Sequence, residues 1–141
     1  MTIEEAIKRI KVCADQMNSR YGGVVFDEWA VVSLLRQKAQ ILSYLGPRND
    51  VFLQNFAKDL GGLRAGLLDR NFKTGDFEFA RHGVGTGFEA FMVLAPGVYL
   101  ICNNTQQSMD DITANPKWLN AQIHFAELGD QVRANPLKVA L

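Results

Sequence analysis

Cys102 and His82 are the one thiol and imidazole that this chain could bring together for nucleophilic catalysis. That chemistry needs the two within hydrogen-bond reach and a third group to orient the base. Nothing in their spacing enforces it, and a cysteine buried as a small apolar side chain is the alternative. Asp27, Glu28 and Glu89 stand in strand-like segments. Carboxylates held across a cleft can do acid–base work; otherwise they point outward or sit at strand ends. Gly83-Val84-Gly85-Thr86-Gly87 looks like a phosphate loop, but such a loop needs a strand before it and a helix after it. Here a strand-like stretch follows and no lysine does, so a hairpin connection is the expectation. Arg81-His82 with Glu89 could form a cross-strand charge pair around that loop, and Arg81 and His82 are the residues to test if the loop binds anything. Two histidines and two separated cysteines give no metal-ligand spacing, and no cofactor motif is present.

Composition narrows the classes further. At 141 residues, 48% hydrophobic and 21% charged, the chain fits one globular domain with a substantial core. Fifteen basic residues balance fifteen acidic ones, which leaves no electrostatic footprint for nucleic acid. No apolar run approaches the ~18 residues that mark a membrane span. The opening MTIEEAIKRI has acids where a secretion signal would be basic, and two unpaired-spacing cysteines suit a reducing compartment. The expected location is therefore cytoplasmic, and the Asn103-Asn104-Thr105 sequon carries no weight.

The elements that would position these residues follow in order. Thr2-Ile3-Glu4-Glu5 reads as a capping box ahead of an amphipathic helix whose apolar face is Ile3, Ala6, Ile7, Ile10, Cys13, Ala14 and Met17. It is expected to end near Tyr21-Gly22-Gly23. Val24 to Leu35 reads as a strand, with Phe26, Glu28, Ala30, Val32 and Leu34 on one side and Asp27, Trp29, Val31, Ser33 and Leu35 on the other. Ala39 to Leu45 is a second strand, stopped by Gly46-Pro47. Phe77 to Arg81, Phe88 to Ala95 and Val98 to Asn103 form a meander, the last two joined by a Pro96-Gly97 turn. From about 108 to 135 the chain is helical, broken at Asn115-Pro116, with Trp118, Ala121, Phe125, Leu128 and Val132 at steps of three and four. Gly129 weakens its last turn, and Leu137 to Leu141 reads as a frayed tail.

Asp50 to Arg70 lies in the middle and reads as a helix. Phe52, Phe56, Leu60, Leu63 and Leu67 form a stripe suited to the sheet. Ala57, Gly61 and Ala65 form a second stripe, flanked by Leu53 and Leu68. Interior glycines each cost roughly 1 kcal/mol relative to alanine, so a small-residue stripe implies close approach of another backbone. A helix simply broken at Gly61-Gly62 is the alternative.

The expected fold is therefore α+β: a five-stranded antiparallel sheet in the order α-β-β-α-β-β-β-α, with the central helix on one face. That order, the VVFDEWAVVSLL block, the glycine-bearing helix and the FEAFMVLAPGVYLICNN hairpin resemble the roadblock / dynein light chain family and its profilin-like and longin relatives. The resemblance implies a non-catalytic homodimeric scaffold, in which central helices dock and the strands after them pair. Carried over, it assigns Ala57, Gly61, Ala65 and Leu68 to the helix contact and Phe77, Phe79 and Arg81 to the edge. Family members regulate small Ras-like GTPases or adapt motor complexes, and bacterial members often act beside a small GTPase. The implied partners are a second copy and a GTPase or other protein. Two other readings stand beside this one. One is a small-molecule sensor of PAS or longin-like type, with Phe88, Met92 and Tyr99 lining a pocket; the other is an enzyme using Cys102 and His82.

Overall fold

The computed structural model of the chain describes residues 1–19, 26–35, 40–46, 71–81, 88–104 and 116–138. The first helix, α1 (Ile3–Ser19), starts where the capping box places it. The Glu5 amide donates to Thr2 Oγ1 at 3.2 Å and the Thr2 amide donates to Glu5 Oε2 at 3.3 Å, so two otherwise orphaned helix-terminal donors are satisfied. Ala6, Ile10, Cys13, Ala14 and Met17 are buried, which gives the helix one core-facing stripe.

Five strands follow: β1 (Glu28–Ser33), β2 (Gln40–Leu45), β3 (Phe77–Arg81), β4 (Phe88–Ala95) and β5 (Val98–Asn104). They form one sheet in the order β2-β1-β5-β4-β3, with every pair antiparallel. The second described helix, α2, is Pro116–Ala134. Proline at its first position fits, because that residue has no intrahelical partner for an amide. The segments 50–70, 82–87 and 105–115, with the expected central helix, the glycine loop and the short helix at Ser108, lie outside the described residues.

The sheet separates two apolar layers. On one face α1 and α2 cover Trp29, Val31, Ala90, Met92, Leu94, Val98, Leu100 and Cys102. Phe125 of α2 is the centre of this layer: its ring lies 5.4 to 6.1 Å from those of Phe77, Phe79, Phe26 and Trp29. The Phe79 and Trp118 rings are closer still, at 4.6 Å. Ala30, Val32, Leu34, Phe91, Val93, Tyr99 and Ile101 form the buried layer on the opposite face.

Three local expectations need correction. The first strand is shorter than Val24 to Leu35. Asp27 forms a bend, its amide held by Asn103 O at 2.9 Å, and Phe26 consequently packs on the helix side with Trp29 rather than with Ala30. Gly129 is a contact point rather than a weakness: a Cβ there would stand 2.6 Å from Gly75 O. Leu137 is no frayed end. Its side chain is buried and its amide donates to Leu94 O at 3.1 Å, while the Met1 nitrogen holds Asn135 Oδ1 at 2.9 Å and Pro136 O at 2.7 Å. No described helix is long and apolar enough to cross a membrane.

Candidate functional site

The polar residues of the first strand come together in a way their sequence positions do not advertise. Glu28 opens β1 and is completely buried. Tyr44 Oη, from β2, donates to its Oε2 at 2.5 Å, and Asn103 Nδ2, from β5, donates to its Oε1 at 2.7 Å. The carboxylate thus ties three neighbouring strands at one end of the sheet. Asn103 stands between Glu28 and Glu89 in the strand register, and its own Oδ1 is buried without a donor among the described residues. Glu28 does stand at a strand end, but it does not point outward. With the group fully buried and held by donors from two neighbouring strands, the arrangement suits cross-strand fastening rather than acid–base turnover.

Both thiols are chemically quiet. Cys102 is fully buried, and burial first, then the nearby Cys13, push it well above the ordinary thiol range. Cys13 is pushed from the usual 9.0 up to about 12, chiefly by burial and then by Glu127. Nucleophilic use requires the thiolate, so neither thiol is primed, and His82 lies outside the described residues. Among the described residues no group of three His, Cys, Asp or Glu side chains could hold a metal ion.

Met92 and Tyr99 do not share a pocket. Met92 pairs with Leu100 in the register and is completely buried under the helices, whereas Tyr99 pairs with Val93 and belongs to the opposite layer. Phe88 is the first residue of β4, opposite Arg81 at the end of β3. Tyr99, also buried, has its hydroxyl pKa raised by desolvation.

The edge residues are better placed. Among the described residues β3 ends the sheet, and Phe77 and Phe79 turn their half-buried rings into the cluster around Phe125. The Val93 amide donates to Asp76 O at 3.0 Å, so that carbonyl points toward β4. Backbone groups of an antiparallel strand alternate in direction, which sends the amides of Phe77, Phe79 and Arg81 away from β4, along the outer edge. The β3–β4 register runs without a shift over all five residues, whereas the pairing of the other edge strand is interrupted between Val31 and Val32. Bulges of that kind are a common way of blunting an edge. Ala57, Gly61, Ala65 and Leu68 lie outside the described residues.

Comparison of the chain with models of known protein families and with curated proteins finds no match.

Proposed function

We propose that the chain is a non-catalytic interaction module that works as a homodimer, with the β3 edges of two copies pairing into one continuous sheet. The observation that carries this reading is the regular outer edge of β3: five residues with neither a bulge nor a proline, anchored by Phe77 and Phe79 packing against Phe125. Outward amides in such a strand are a template for a further strand. The stripe Ala57, Gly61 and Ala65 is the second contact of this proposal, with Gly61→Leu as its probe.

The resemblance to the roadblock family adds regulation of a small Ras-like GTPase in the cytoplasm as the activity such a dimer would serve. The quiet thiols and the separation of Met92 from Tyr99 favour this reading over the enzyme and the sensor. Light scattering coupled to size exclusion tests the dimer. A change in the GTP hydrolysis rate of a co-purifying GTPase, on addition of the chain, tests the regulatory part; an unchanged rate removes it.

A further inference from the structure

α1 and α2 lie side by side and antiparallel. Cys13 Sγ donates to His124 O at 3.5 Å, Arg9 Nη1 donates to Gln131 Oε1 at 3.2 Å, and Asn120 Nδ2 donates to Met17 O at 3.3 Å. Along this seam the surface opens into a groove of about 240 Å³. Val12, Cys13 and Leu128 supply its apolar part, and Val12 remains 55% exposed. The Cys13 thiol, pushed up to about 12 by burial and by Glu127, is uncharged at neutral pH and counts with the apolar floor.

Charge on the two walls is unequal. On the α2 wall Glu127 is engaged by His124 Nδ1 at 3.2 Å. On the α1 wall Lys8 and Arg9 are exposed cations, and the only hydrogen bond of either side chain among the described residues is that from Arg9 to the neutral Gln131 amide. Glu5, one turn away, is occupied in capping Thr2. Pockets for whole small molecules usually measure about 300–1,000 Å³. A groove below that range, open on one side, suits one or two side chains of a docked segment.

We propose that this groove docks a peptide segment of a partner protein in which an aliphatic side chain is flanked by carboxylates. The aliphatic group lies against Val12 and Leu128, and the carboxylates meet Lys8 and Arg9. The groove is built within a single chain, so the proposal stands apart from the dimer and from β3.

The test is an amide-resolved NMR titration of the nitrogen-15-labelled full chain with the peptide acetyl-DDLLD-amide. Acetyl-NNLLN-amide and acetyl-DDAAD-amide serve as controls that remove the charge or the aliphatic group. Saturable shifts centred on Lys8, Arg9, Val12 and His124 are expected, with affinity about tenfold lower for either control peptide and for the Lys8→Glu/Arg9→Glu variant. Both cations are exposed, so the fold should survive, and a thermal melt checks this. Lys8→Gln/Arg9→Gln is the milder substitute, and Val12→Asp tests the apolar half. Absence of saturable shifts, shifts centred elsewhere, or equal affinity for the controls or variants overturns the proposal.

Discussion

Gly75, in the turn before β3, and Gly129, in α2, meet backbone against backbone: a methyl group added at Gly129 would stand 2.6 Å from Gly75 O, and one added at Gly75 would stand 2.6 Å from Gly129 O. Gly75 also has φ +90, a conformation side chains disfavour. This contact brings the start of β3 onto α2, where Arg133 reaches Asp76 at 3.5 Å and Asp130 at 2.8 Å.

A glycine inside a helix ordinarily gains about 1 kcal/mol when replaced by alanine. Gly129→Ala is expected to do the opposite, because the atom it meets is a backbone carbonyl that cannot swing aside. Urea denaturation should show a loss of stability of about 1–3 kcal/mol, the range typical of overpacking. A gain would mean that the two backbones separate freely.

Tyr44→Phe removes one donor from the buried Glu28 carboxylate and is expected to cost about 1–3 kcal/mol. A double-mutant cycle with Glu28→Gln separates that bond from general damage. Coupling above about 0.5 kcal/mol supports a direct interaction; additive effects contradict it.

The thiols give a pH signature with a definite sign. Cys13 titrates near 9.0 when unperturbed and at about 12 in the fold, so the folded state favours the neutral thiol. Its contribution is fully present below pH 9.0 and is lost as pH rises toward about 12. Cys102 acts in the same direction. Each thiol adds a slope of at most about 1.4 kcal/mol per pH unit in that window. Denaturation midpoints should therefore fall above pH 9, and less steeply in Cys13→Ala. At pH 8 the native chain should resist iodoacetamide, while the unfolded chain reacts at both cysteines; rapid labelling of native protein would contradict this.

The parts of the fold that the sequence displayed are those governed by local rules. The capping box at Thr2 and Glu5, the alternation of Phe77 to Arg81 and the Pro96-Gly97 turn each act over a few residues, and they mark a helix start, a strand and a turn in the structure. What it hid depends on distant partners. Phe26 changes side because Asn103, far along the chain, holds Asp27 in a bend. Leu137 is ordered because Leu94 offers it a carbonyl. Gly129 needs Gly75 to explain it. Glu28 stood out as an acid in an apolar run, but only the pairing of β1 with β2 and β5 brings Tyr44 and Asn103 to it. The groove beside Lys8 and Arg9 arises from two helices at opposite ends of the chain, so no stretch of sequence could show it.

Sedimentation velocity over a concentration series, comparing wild type with Arg81→Pro and Arg81→Ala, tests pairing through the outer edge of β3. Proline at this position removes an amide directed away from β4, so the monomer fold should tolerate it as edge strands generally do. Alanine removes the side chain but keeps that amide. A dimeric wild type, a largely dimeric Arg81→Ala and a folded, monomeric Arg81→Pro are expected. A wild type that stays monomeric throughout, or an Arg81→Pro that dimerises as well as wild type, would contradict pairing through this edge.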